Sequence, residues 1–159
     1  METSRMGQLY QEIAEKLNEI IPVNWKEIHL YAEVIYEDST MVYFYFNTHE
    51  MDKYTYYYYI PKNFNVDKSI FNKMMDELYK KIEELHLEFK DNNPEMWTNL
   101  TLKLESSGKF NISYDYEDVL SSELTNIERR MIFVYKNLGT LPEDENDRKF
   151  LEDYLKNHS

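Results

Sequence analysis

Glu27-x-His29-x-Tyr31-x-Glu33 is a run in which every second residue could do acid, base or metal chemistry. On an extended strand all four side chains leave from one face, where an imidazole and two carboxylates could hold a divalent ion. A single strand rarely supplies a whole site, and no His-Glu-x-x-His or comparable spacing adds the missing ligands. A polar sheet face is the better reading, and no metal is expected. His49 in an expected loop, His86 on an expected helix and His158 near the end have no companions at a recognised spacing. The second set is Tyr114-Asp115-Tyr116-Glu117-Asp118. Its carboxylates could work as an acid and base pair only in environments that push their pKa values apart, and they read as exposed. As an interface the set makes sense, because tyrosines contribute anchored area and carboxylates accept the paired N–H groups of arginine. An ordinary strand end running into a solvated turn fits equally well. The chain has no Gly-rich phosphate loop, no Gly-x-Ser-x-Gly elbow and no basic aromatic patch. No catalytic residue and no cofactor are expected.

The elements that must position these residues can be read from periodicity. Met6, Leu9, Tyr10, Ile13, Ala14, Leu17, Ile20 and Ile21 recur at helical spacing from Thr3 to Ile21, with Thr3 or Ser4 as cap and Pro22 as stop. Lys26 to Tyr36 alternates, with Ile28, Leu30, Ala32, Val34 and Tyr36 opposite Glu27, His29, Tyr31 and Glu33. A turn is expected at Glu37-Asp38-Ser39-Thr40. Met41 to Phe46 is apolar on both faces, as in a central strand covered by helices on one side and by tyrosines or a partner on the other. Tyr54 to Ile60 reads as a third strand, ended by Pro61.

A long helix is expected over Asp67 to Asp91, capped by Asp67 or Asn65, with a stripe of Ile70, Phe71, Met74, Met75, Leu78, Ile82, Leu85 and Phe89. Pro94 breaks the chain. A hairpin follows, in which Leu100, Leu102 and Leu104 face Tyr114, Ile112 and Phe110 across a three-residue Ser106-Ser107-Gly108 loop with Gly108 left-handed. A two-residue turn would oppose Leu104 to Asn111 and mix the faces. Thr125-x-x-Glu128 matches a capping box, opening a helix with Ile127, Met131, Val134, Tyr135 and Leu138, closed at Gly139. Pro142 opens a last helix with acids in its first turn and Phe150, Leu151, Tyr154 and Leu155 as its stripe. The fold class expected is α+β: one domain, 1–159, with about five antiparallel strands packed against helices in the order α-β-β-β-α-β-β-α-α.

The 159 residues suffice for a sizeable core without staples, and no cysteine is present to form any. Fifteen tyrosines, eight phenylalanines and two tryptophans exclude low-complexity disorder. Thirty acids against eighteen Lys and Arg leave a net charge of -12, which repels nucleic acid and anionic lipid and attracts basic proteins. On charge alone, a solubility device is the simpler reading. Met-Glu-Thr-Ser-Arg leads into an amphipathic pattern, so no secretory signal is expected, and no apolar run spans a bilayer. A cytoplasmic location follows by default.

Several fragments, in this order, carry a resemblance: Leu9-Tyr10-Gln11-Glu12-Ile13-Ala14, Ile21-Pro22-Val23, Val42-Tyr43-Phe44-Tyr45-Phe46, Trp97-Thr98-Asn99-Leu100-Thr101-Leu102, Gly108-Lys109-Phe110, Tyr116-Glu117-Asp118 and Tyr135-Lys136-Asn137-Leu138-Gly139. Through them the chain resembles the YezG/EsaG immunity proteins, antitoxins of LXG-type nuclease toxins exported by type VII secretion. The resemblance implies a small acidic cytoplasmic protein that binds the toxin's C-terminal nuclease domain and keeps it inactive, with no catalysis and no cofactor. It supplies no motif of contact residues. On physical grounds the expected interface is Tyr114, Asp115, Tyr116, Glu117 and Asp118 together with Tyr57, Tyr59, Glu37 and Asp38. A monomer is favoured, with no direct contact to nucleic acid or membrane. The alternative is a non-enzymatic module that uses the tyrosine-rich strands for a small ligand or for self-association.

Overall fold

The computed structural model describes residues 3–36, 39–92, 96–119 and 121–158. They form two compact units, Met1–Asp118 and Val119–Ser159. The turn expected at Glu37-Asp38, the break at Pro94 and Leu120 lie outside the described residues.

The first unit runs α1 (Ser4–Ile20), β1 (Trp25–Tyr36), β2 (Ser39–Thr48), β3 (Thr55–Tyr56), a 3-10 turn (Tyr57–Tyr59), α2 (Ile60–Asn63), α3 (Lys68–Asn92), β4 (Asn99–Glu105) and β5 (Phe110–Asp115). The five strands make one antiparallel sheet in the order β3-β2-β1-β4-β5, so the expected α+β class and element order hold. The Thr3 hydroxyl caps α1 by accepting from the Met6 N–H at 3.1 Å, and Asp67 accepts the N–H groups of Ser69 and Ile70 at the start of α3. No helix is long and apolar enough to cross a membrane among the described residues.

One face of the sheet forms the core. Ile28, Leu30, Ala32 and Val34 of β1, Val42, Phe44 and Phe46 of β2 and Leu100, Leu102 and Leu104 of β4 are buried in one cluster. Met6, Leu9, Ile13 and Leu17 of α1 and Phe71, Met75, Leu78, Ile82, Leu85 and Phe89 of α3 complete it. The hairpin pairs as its alternation requires: Leu104 with Phe110, Leu102 with Ile112, Leu100 with Tyr114 and Thr101 with Ser113. Gly108 has φ 98°, and its N–H reaches the Glu105 carbonyl at 2.8 Å to close the loop. Trp97, fully buried, ties the start of β4 to α3. Its ring meets those of His86, Phe89 and Tyr114, and its carbonyl lies 2.9 Å from His86 Nε2. A carbonyl only accepts, so this nitrogen carries the proton. Burial lowers the His86 pKa from its usual value, against the opposing pull of this hydrogen bond.

Four expectations need correction. The stretch Tyr54 to Ile60 is not a strand: only Thr55 and Tyr56 pair, with Phe46 and Tyr45. The chain then turns so that the Tyr57 ring stacks on Phe71 at 6.3 Å and Ile60 is fully buried, neither of which an extended strand at the sheet edge could achieve. Pro61 opens a helix there instead of ending a strand. Ser39 and Thr40, expected in a turn, begin β2. Ile70 is 57% exposed, because the buried stripe of α3 runs through Phe71 and Met75 and leaves its neighbour facing outward.

The second unit contains α4 (Asn126–Leu138) and α5 (Glu145–Asn157). The capping box is present in both directions: the Thr125 hydroxyl accepts from the Glu128 N–H at 3.1 Å, and the Glu128 carboxylate accepts from the Thr125 N–H at 2.9 Å. Gly139 closes α4 at φ 71°, and Asp144 caps α5 by accepting from the Asp147 N–H. The fourth correction lies here. Ile132 and Phe133 are the buried residues of α4, whereas Ile127 is 62% exposed, so the apolar stripe is rotated from the one expected.

Two outcomes follow. Replacing Gly108 by Ala meets no atom within 4 Å, so its cost is the left-handed backbone alone, about 1 kcal/mol in denaturant unfolding. His86 titrates below its unfolded value of 6.5, so its contribution is complete above that pH and is lost as pH falls toward its folded value, where the unfolded chain takes up the proton first. His86→Gln is expected to flatten the fall in stability below pH 6.5 and to leave the slope above it unchanged, as read from unfolding midpoints across pH.

Candidate functional site

The second face of the sheet carries the odd-numbered residues of β1, β2, β4 and β5. On β1 this face is polar, as expected, but it is not solvated: His29, Tyr31 and Glu33 are all buried. Tyrosine rings provide much of the packing. Tyr31 lies 5.3 Å from Tyr43, which meets Tyr45 and Tyr56 at 6.4 Å, and Tyr45 meets Tyr56 at 4.9 Å. The His29 ring takes the edge contact of Tyr54 at 5.4 Å. Burial raises the Tyr43 phenol pKa well above its usual value and lowers that of His29, against the pull of Glu27. The Glu27 carboxylate, 3.2 Å from His29 Nε2, is also 3.5 Å from the Lys103 ammonium. The Tyr31 hydroxyl donates to Glu33 at 2.6 Å. The four residues therefore form two separate pairings, and no group of three or more His, Asp or Glu is placed to hold a metal ion among the described residues.

The expected interface residues fall into two groups. At the end of β5, Tyr114 is half-buried, its ring against Phe89 at 4.6 Å and its hydroxyl 2.7 Å from that of Tyr10. Asp115 is exposed and accepts from the Asn99 amide at 3.2 Å. Tyr116 is 39% exposed, and Glu117 and Asp118 are exposed. Thr98 holds this end in place: its N–H donates to the Asp115 carbonyl at 2.8 Å and its hydroxyl to the Glu117 carbonyl at 2.6 Å. The backbone is thus anchored while the Glu117 carboxylate and the Tyr116 ring project outward.

Tyr57 and Tyr59 follow β3, at the other edge of the sheet. Four strand spacings separate the edges, roughly 19 Å. Tyr56 is level with Tyr45, His29, Lys103 and Asn111, whereas Asp115 is level with Asn99, Glu33 and Met41, four residues further along the strands. The two groups occupy opposite corners. Glu37 and Asp38 lie outside the described residues.

Sequence reasoning missed what surrounds Tyr57. With Tyr58, Tyr59, Pro61, Phe71, Met75 and Tyr79 it lines an open groove of ≈ 750 Å³, whose charged residues are Lys62, Lys68 and Asp76. Tyr58 and Tyr59 are 62% and 50% exposed. Burial raises the Tyr79 pKa, against a hydrogen bond with Tyr57. The usable signal was Pro61, whose place in the first turn of a helix would have shortened the strand and turned the tyrosines toward α3. Among these pairings Tyr31 to Glu33 is the most sheltered. Tyr31→Phe removes a donor to a buried carboxylate and is expected to cost about 2 kcal/mol in chemical unfolding without changing the fold, as read by circular dichroism.

The chain matches the protein family described as Immunity protein YezG-like over residues 6–152. It is 49% identical over 156 residues to Immunity protein YezG of Bacillus spizizenii, covering 98% of this chain and 96% of that one. It is 52% identical over 150 residues to Immunity protein YezG of Bacillus subtilis, covering 94% and 99%. It is 32% identical over 155 residues to type VII secretion system protein EsaG of Staphylococcus aureus, covering 96% and 94%. An acidic α+β chain that matches these proteins across nearly its whole length belongs to the YezG-like immunity protein family.

Proposed function

We propose that this protein, acting as a single immunity domain over 1–159, binds the C-terminal nuclease domain of a cognate LXG-type secreted toxin and holds it inactive in the cytoplasm of the producing cell. The observation that carries this is the near full-length similarity to the two immunity proteins and to a type VII secretion system protein. The physical chemistry is consistent with it. A nuclease must attract phosphate and so presents positive charge, and a chain of net charge -12 steers toward such a surface. Inhibition by occupation needs no reaction, and the protein is read as a non-enzyme. Asp115, Tyr116, Glu117 and Asp118 combine exposed carboxylates with an exposed ring on an anchored backbone. Tyr57 and Tyr59 at the far corner offer a second contact for a partner large enough to reach it.

The test is a nuclease titration. Purified toxin nuclease domain is expected to lose activity in proportion to added protein and to be silent at a molar excess. Undiminished cleavage there would overturn the proposal. Tyr116→Ala and Glu117→Lys change exposed side chains, and each is expected to weaken the complex about tenfold. The Glu117→Lys loss should appear mainly in the association rate and shrink as salt rises.

A further inference from the structure

The backbone hydrogen bonds at the ends of the ladders set which way each strand's peptide groups point. The Ser106 N–H donates to the Lys26 carbonyl at 2.9 Å and the Val34 N–H to the Thr98 carbonyl at 3.0 Å, so β4 directs its even-numbered residues at β1. The Glu105 N–H donates to the Lys109 carbonyl at 2.9 Å, so the odd-numbered residues of β4 face β5. Pairing alternates in an antiparallel ladder. Asn111 and Ser113 of β5 therefore point their N–H and C=O groups inward, and Phe110 and Ile112 point theirs away from the sheet. β5 is the last strand in its order, and it lies next to the anchored Asp115 to Asp118 segment.

Edges of this kind are usually blunted by proline, a bulge or a very short strand. β5 has none of these: Phe110 to Asp115 contains no proline, pairs without a register shift and runs for six residues. The other edge is blunted, because β3 is two residues long and the chain turns off it into a helix. Beside β5 the flank of α1 carries Gly7, Tyr10, Gln11 and Ala14, none of them charged, with Tyr10 packed on Phe110 at 5.4 Å. A strand could approach there without burying an unpaired charge.

The geometry points to the outer edge of β5 as the place where an extended, basic segment of the inhibited nuclease adds as a sixth strand. This rests on the proposed function and says how the same partner is held. Main-chain pairing to Phe110 and Ile112 supplies register, and the carboxylates of Asp115 and Glu117 at the strand's end receive the segment's Lys or Arg side chains. A second copy of this chain is the weaker occupant, since each copy brings a charge of -12 to the pairing.

Amide hydrogen exchange tests it directly, on the protein alone and bound to the cognate toxin's nuclease domain. The Phe110 and Ile112 amides are expected to exchange fast in the free protein and to slow at least about a hundredfold in the complex. Ile112→Pro removes the outward N–H and spares the inward pairing, whereas Ile112→Ala removes the side chain and keeps the N–H. The proline variant is expected to bind at least about tenfold more weakly than the alanine variant, with both still folded. Intact inhibition with unprotected Phe110 and Ile112 amides overturns the strand addition and leaves the immunity function standing. Equal loss in the two variants overturns it as well. Protection in the free protein together with a dimer mass assigns the edge to a second copy and overturns it. Failure of the nuclease domain to be inhibited at all removes the partner, and both proposals fall together.

Discussion

Strand β1 lies in the middle of the sheet with both of its faces buried, and the rest of the first unit answers to that. Its even residues, Ile28 to Val34, enter the core with α1 and α3, while His29, Tyr31 and Glu33 on the odd face are equally hidden. An apolar face is satisfied by contact alone, but a polar one must find partners for each donor and acceptor. The hydroxyl of Tyr31 serves Glu33, and Glu27 serves both His29 and Lys103. Tyrosines suit this layer because each ring fills space while its tip remains a hydrogen-bonding group. Tyr31 and Tyr43 meet a structural requirement of central strands covered on both faces.

That requirement also limits which side chains are left exposed. The β1 residues that complete the second face are buried, so the proposed contacts lie at the edges and corners of the sheet. At one corner the Tyr57 to Tyr59 turn leaves two tyrosines exposed beside a groove along α3. At the other the chain leaves β5 through Asp115, Tyr116 and Glu117, held by Thr98. A rigid backbone beneath exposed side chains lowers the entropy lost on association, as the proposed complex would require. The ion pairs between α1 and α3 remain open to solvent on at least one side, as in Arg5 with Glu84 at 2.7 Å, and contribute little to stability. They use some of the basic residues internally and leave the excess acid to shape the field outside.

Much of the fold was legible because it is encoded by near neighbours. The cap at Thr3, the capping box at Thr125 and Glu128 and the closing Gly139 depend on residues three or four apart. The hairpin register followed from alternation and one glycine, since a two-residue turn would have mixed the faces. The site was less legible. Residues 114–118 could be recognised as a tyrosine and carboxylate cluster, but the packing of Tyr114 against Phe89, Trp97 and Tyr10 involves residues far away in the chain.

By itself, then, the order of amino acids determined the types of most elements, the hairpin pairing, the helix ends and the acidic field, because each depends on periodicity, on a local hydrogen bond or on a sum. Only the tertiary structure decided that Tyr57 leaves the sheet, that Glu33 is buried, that Ile70 and Ile127 face outward and that the two groups expected at an interface stand at opposite corners. Those outcomes depend on what lies across the sheet or beneath the helix, and an aromatic residue is equally at home on an edge strand, in a turn or in a core until its neighbours are known.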